Sequence, residues 1–190
     1  MKILDKQLDE MSREELGRLF PIIISEHDPM WHALYLSEKI NLEQIIGSNN
    51  IVRINHYGST SVPNLCAKPT IDILLEIQNV MNTERIISLL KSIGYNYSPQ
   101  PNNPAPHMMF MKGYTPSGFS GQAYHVHVRY SGDWDELYFR DYLILHPEVA
   151  DEYGKLKLQL KDKYEFDRDG YTSAKTCFIK SITEQAKLTI

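Results

Sequence analysis

One acid stands inside an apolar strand pattern: Asp72 in "TIDILLEI" (70–77), among Ile71, Ile73, Leu74 and Leu75. A carboxylate in such company is costly unless it is hydrogen-bonded, paired or bound to a metal. Strand alternation puts Ile71, Ile73, Leu75 and Ile77 on one face, expected in the core. Thr70, Asp72, Leu74 and Glu76 share the other face, expected to line a cleft. In "HVHVR" (125–129), His125, His127 and Arg129 lie on one face with Val126 and Val128 opposite. Imidazoles at i and i+2 of a strand can reach one ligand or metal. Each feature has a plainer reading: a solvated polar face for the histidines, a carboxylate paired with Lys68 or Arg129 for Asp72. Glu76 is expected at an exposed strand end. It stands about 13 Å from Asp72, at roughly 3.3 Å per residue, too far to share a metal pair spaced about 4 Å.

The loop before this strand, "HYGSTSVPNLCAKP" (56–69), carries Gly58, Ser59, Thr60, Ser61 and Lys68. Glycine lets backbone N–H groups approach closely, hydroxyls add donors, and lysine supplies a cation, so the loop suits a phosphate. The alternative is that the hydroxyls cap a short helix entered through Pro63. His56, His107 and His146 read as structural histidines, with His56 the nearest to the loop. Arg140 either pairs with Asp141 or points into the cleft. Lys157 and Lys175 read as ordinary solvated lysines.

The elements that must position these groups follow from patterning. Ser12 and Glu15 form a capping box for a short helix, and "IIIS" (22–25) reads as a brief extended segment. Asp28-Pro29 starts a helix that ends at Gly47, and "IVRINHY" (51–57) reads as a strand. A helix with Ile86, Ile87, Leu89, Leu90 and Ile93 runs up to Gly94. Residues 96–106, rich in Pro and Asn, read as a loop. "HMMFMKG" and "AYHVHVRY" read as paired strands joined by "TPSGFSGQ". Asp133 or Ser131 is expected to cap the next helix, Pro147 to start another, and "DRDG" (167–170) to precede a last one from about Tyr171. Lys155, Lys157, Lys161 and Lys163 are expected on a solvated helix face. The order describes an α+β (mixed α/β) domain.

The chain has 190 residues, 42% hydrophobic and 23% charged, enough for one domain with its own core. A net charge of −4 argues against a broad nucleic-acid surface. Cys66 and Cys177 make neither a metal-ligand spacing nor a disulfide framework. No membrane-length apolar run occurs and "MKILDKQLDEM" lacks a signal-peptide core. A cytoplasmic protein is expected.

"HYGSTSVPNLCAKPTIDIL" closely resembles the "hIGSTSVPGLaAKPiIDIL" stretch of the GrpB-like family, placed in the nucleotidyltransferase superfamily with DNA polymerase β. "HDPMWHALY" (27–35), "YHVHVR" (124–129), "FRDYLILHPEVADEYGKLKLQL" (139–160) and "YTSAKTCFI" (171–179) extend the resemblance from about residue 22 to 185. It implies a single domain over 1–190: a nucleotidyltransferase-like mixed β-sheet flanked by helices, with a core at about 22–130 and C-terminal helices at about 133–187. In that superfamily a Gly-Ser step holds nucleotide phosphates, an Asp-x-Asp/Glu pair ligates two Mg²⁺ ions, and a later strand gives a third acid. Here Asp72 falls on the first acid, Leu74 on the second, and His125 and His127 on the third. Asn64 replaces a glycine.

The resemblance implies transfer of a nucleoside monophosphate from an NTP to an acceptor. Asp72, His125 and His127 would be catalytic and hold a divalent Mg²⁺, Mn²⁺ or Zn²⁺. Gly58, Ser59, Thr60, Ser61, Lys68, Arg129 and Arg140 would bind a nucleotide or other small-molecule ligand. With one carboxylate the two-metal clamp is incomplete. A degenerate binding module is therefore the alternative, with a metal-dependent phosphoesterase behind it.

Overall fold

Apolar alternation builds the sheet from its centre. The computed structural model describes residues 6–189 other than 101, 104 and 105. Strands β1 (Ile51–Tyr57), β2 (Thr70–Ile77), β3 (Asn96–Pro99), β4 (Met108–Thr115) and β5 (Gly118–Tyr130) form one sheet in the order β1-β2-β5-β4-β3. Only β2 and β5 are parallel; the other pairs are antiparallel. Ile71, Ile73, Leu75, Ile77, Val126 and Val128 are wholly buried on one face, as alternation requires. Helices α2 (Met30–Ile46) and α3 (Thr83–Ser92) cover that face with Trp31, Leu42, Ile46, Ile86 and Leu90. Each such aliphatic side chain contributes about 1.5–3 kcal/mol of burial.

The other face carries the chemistry and is roofed differently. Helix α1 (Arg13–Leu19) packs Leu16 and Leu19 near Tyr114 and Ala123 at one end. Helices α4 (Asp135–Leu145), α5 (Pro147–Tyr164) and α6 (Arg168–Thr189) form the other wall. Leu137 and Trp134 seat α4 on Tyr57 and Leu74, while Ala150 and Tyr153 of α5 pack on Val62 and Leu65. The result is a mixed α/β fold, as expected.

The boundaries follow local chemistry. Ser12 accepts from Glu15 N and Glu15 reaches back, closing the capping box. Asp28 Oδ1 accepts from Met30 N at 2.9 Å, and α2 stops at Gly47 with φ 86°. Several expectations are corrected. Residues 22–25 make only a single bridge, Ser25 to Ala67. The start of the expected 96–106 loop is an edge strand, β3, paired to β4; residues 101, 104 and 105 of that loop lie outside the described residues. Strand β5 reaches back to Gly118 because Thr115 closes a tight turn, accepting from Ser117 N and donating to Gly118 O. Helix α4 is entered at Trp134 with no side-chain cap, and α6 begins at Arg168. No helix among the described residues is long and apolar enough to cross a membrane.

Candidate functional site

Register brings the singled-out residues into rows across the sheet. Tyr57, Asp72, His125 and Met111 face one another in one row; Asn55, Leu74, His127 and Met109 form the next, and Arg53, Glu76 and Arg129 a third. Because paired residues share a face, Asp72, His125 and His127 converge: their ligand atoms lie within 4.8 Å of one another.

His125 Nδ1 donates to Asp72 Oδ1 at 3.2 Å, and its Nε2 meets the Tyr114 hydroxyl at 2.8 Å. Tyr114 reaches this face through a local irregularity. Plain alternation from Phe110, a core residue, would turn Tyr114 into the core as well. A register shift at Gly113, with φ 88°, re-aims it. Burial pushes the Asp72 carboxyl up, but the hydrogen bond and charge of His125, with the charge of Lys68, hold it below the usual range. Burial pulls the His127 imidazole down to about 3, so it is neutral at pH 7.

The loop is fitted around Asp72. Gly58 has φ 71°, and a Cβ there would collide with the Asp72 carboxylate, so glycine is required twice over. Residues 59–61 make one 3-10 turn. Thr60 Oγ1 donates to Thr70 O at 3.0 Å and so must accept from His56 Nε2, also at 3.0 Å, which ties the loop to the head of β2. His56 itself stacks on Tyr35 at 4.8 Å. Ser61 donates to Gly58 O at 2.6 Å and stands outside the cleft lining, whereas Gly58, Ser59 and Thr60 line it. Asn64 has φ 61°, the left-handed conformation that explains a glycine at this position in the resembling motif.

The cleft over this face has a volume of about 1020 Å³. Lys68, Lys157 and Lys175 all line it. Lys157 is 2% exposed and donates to Cys66 O, so the expected solvated helix face does not hold for it. Burial pulls Lys157 down to about 7 and Lys175 to about 8, which corrects the reading of both as solvated lysines. Lys68 is likewise drawn down to about 8 by burial. Tyr153 and Tyr171 line the same wall. Sequence reasoning misses the roles of Tyr114, Lys157 and Lys175. Gly113 inside a strand pattern is the available signal for the first. Helical patterning holds none for the lysines.

Arg129 and Arg140 are placed outside the cleft lining. Arg129 is buried, donates to Met108 O and Val128 O, and lies 5.7 Å from the Trp134 ring centroid. Arg140 pairs with Asp141 at 2.6 Å and donates to His56 O at 2.9 Å, tying α4 to β1. Glu76, expected at an exposed strand end, is wholly buried. It accepts from Arg53, Gly132 N and Trp134 Nε1. Leu74, where the second acid would stand, is sealed under Trp134 and Leu137.

The donor set of Asp72, His125 and His127, one carboxylate and two imidazoles, fits a divalent ion such as Mn²⁺ or Zn²⁺. His125 is already equipped with an outer partner. If Nδ1 turns its lone pair to an ion, Nε2–H donates to Tyr114, whose hydroxyl serves either tautomer. Arg129 Nη2 lies 3.4 Å from His127 Nδ1, and ligation by His127 trades against that contact.

Relatives agree on the family. A family model described as GrpB protein matches residues 21–185. The chain is 33% identical to the glutamate-rich protein GrpB of Alkalihalophilus pseudofirmus, over 86% of this chain and 95% of that protein. It is 34% identical to UPF0157 protein YqkA of Bacillus subtilis over 85% of this chain, yet spans only 46% of YqkA, about half its length. The crystal structure of GrpB from Enterococcus faecalis superposes with a TM-score of 0.74 at 33% identity, covering 86% of this chain and 96% of that one. A chain with this motif, this fold and these relatives belongs to the GrpB family.

Proposed function

We propose that the cleft binds a nucleoside triphosphate with one divalent ion and transfers its nucleoside monophosphate to an acceptor. The observation that carries this reading is the meeting of Asp72 and His125 on the floor of a cleft walled by Gly58, Ser59 and Lys68. Asp72, His125 and His127 would hold the ion, which when bound would neutralise and orient a phosphate oxygen. Lys68 supplies a point charge to the phosphates, and Ser59 a hydroxyl donor. The fit of Gly58 against Asp72 keeps the phosphate loop within reach of the acid. Asp72 Oδ1 and His125 Nδ1 are joined by one hydrogen bond, and its proton would have to leave for both to hold an ion.

A second reading, ligand binding without turnover, is favoured by Leu74: the two-metal clamp lacks an acid, and the space is filled with packed side chains. The deciding measurement is release of pyrophosphate from each NTP with Mg²⁺, Mn²⁺ or Zn²⁺, together with equilibrium Mn²⁺ binding. Wild type is expected to release pyrophosphate and Asp72→Asn to lose both release and Mn²⁺ affinity. NTP binding without release under any ion would establish the binding module. Release of orthophosphate instead would point to hydrolysis.

A further inference from the structure

We propose that Lys68, Lys157 and Lys175 form a site for a polyphosphate anion that binds without a metal ion. The inference deepens the reading of the cleft as a phosphate site and is independent of turnover. The three lysines come from separate elements, the β1–β2 connection, α5 and α6, and all open on one cleft. Among the described residues none of them pairs with a carboxylate within salt-bridge distance. Their neighbours are aromatic faces. Lys68 and Lys175 lie 5.6 and 4.2 Å from the Tyr171 ring centroid, and Lys157 lies 4.7 Å from that of Tyr153.

Cation–π contacts and one carbonyl do not neutralise three ammonium groups gathered in one concavity. Burial comes first in lowering each lysine; Lys175 and Lys68 then lower Lys157, and Lys68 lowers Lys175. Arg168 adds to Lys68, while Asp72 opposes the trend at Lys68 and Lys175, and Cys66 opposes it at Lys157. Tyr153 and Tyr171 are themselves raised by burial and stay neutral. At the far end of the cleft Asp133, Asp135, Glu136 and Glu184 stand with Lys180 and Lys187, and Lys187 pairs with Asp135. The cleft is thus cationic at one end only. An anion with several charges on a short chain, a pyrophosphate or triphosphate group, would relieve all three lysines at once. A single carboxylate would not. A cleft cationic at one end only, on a chain of net charge −4, also does not suit a nucleic-acid backbone.

Because a bound anion favours the charged lysines, binding takes up protons near neutral pH and weakens as pH rises from 7 to 9. The test is calorimetric titration of the full chain with sodium tripolyphosphate in EDTA, at pH 7 and 9 and in buffers of different ionisation enthalpy. Wild type is expected to bind without metal. Affinity should fall about tenfold or more in Lys175→Met and Lys157→Met, the loss expected for one charge-assisted contact. Affinity should also fall on going to pH 9, with buffer-dependent heats. No binding in EDTA, or unchanged binding in both variants, would overturn the proposal. If Lys157→Met does not fold, the more exposed Lys175→Met decides. Tripolyphosphate binding without pyrophosphate release from any NTP leaves this site standing and removes the transferase reading. Release without tripolyphosphate binding does the reverse.

Discussion

Asp72 and Glu76 lie four residues apart on the same face of β2, and their surroundings differ in kind. Glu76 accepts from a guanidinium, a backbone N–H and an indole, and no part of it meets solvent. Asp72 keeps about a quarter of its side chain open to the cleft and has, among the described residues, one side-chain donor, His125. A fully satisfied carboxylate fixes structure and has no capacity left for a ligand. One supplied with a single imidazole retains lone pairs for something else. Leu74 between them marks the boundary: on its one side the sheet face is sealed by α4, on its other it is open.

The most forceful way to break this contrast is to move the acid into the boundary. Leu74→Asp removes an apolar contact and places a carboxylate among Tyr57, Trp134 and Leu137, with an expected loss of about 4 kcal/mol by denaturant unfolding. If that variant instead folded normally and bound Mn²⁺ more tightly, Leu74 would be a vacant ligand position rather than a seal. Next come the two acids themselves. Glu76→Ala should cost about 3 kcal/mol, because Gly132 N and Trp134 Nε1 lose their acceptor inside the protein. Asp72→Asn should change stability by less than about 1 kcal/mol, since burial opposes the help from His125. Equal costs would erase the distinction between structural and functional acid.

The smallest expected effect concerns pH. Both carboxyls are held below their ordinary range, so their contribution is complete above it and drains as pH falls through the folded-state values. The lysines act in the opposite part of the scale. Their folded values of about 7 to 8 lie below the ordinary 10.5, so the unfolded chain binds more protons between these limits. Stability of the ligand-free protein therefore rises with pH above about 7. Lys175→Met should flatten that rise in melting temperature, and an unchanged slope would argue that Lys175 is charged and solvated.

What can be read from the chain follows the range of the forces involved. The alternation of Ile71, Ile73, Leu75 and Ile77 is local, and by itself it assigns Asp72 to the open face. The same holds for His125 and His127, and for the helix starts at Ser12 and Asp28. Glu76 and Lys157 are misjudged by spacing because burial there is imposed by distant partners: Arg53 and Trp134 for one, Cys66 for the other. A lysine at position 157 fits a soluble helix face equally well by spacing. Only the docking of α5 onto residues 62–66 turns it inward. Tyr114 is hidden by the register shift at Gly113, which breaks the periodicity such reasoning relies on. Strand β3 is short, carries a proline and sits at the sheet edge, so it resembles a loop in composition.

The parallel pairing of β2 with β5 has a consequence during synthesis. Asp72 and His125 are separated by 53 residues, and β5 must be synthesised before it can seat against β2. At ordinary rates of about 5–20 residues per second, β2 waits roughly 3–10 s on the ribosome before its partner has emerged. Through that interval the strand presents Ile71, Ile73 and Leu75 beside an unpaired edge, the kind of segment that joins neighbouring chains. A charged residue in the middle of such an edge discourages that pairing, and Asp72 occupies that place. We expect Asp72→Val to raise the aggregated fraction of nascent chains. The acid at the floor of the cleft would then also serve as the charge that keeps a half-made sheet solitary.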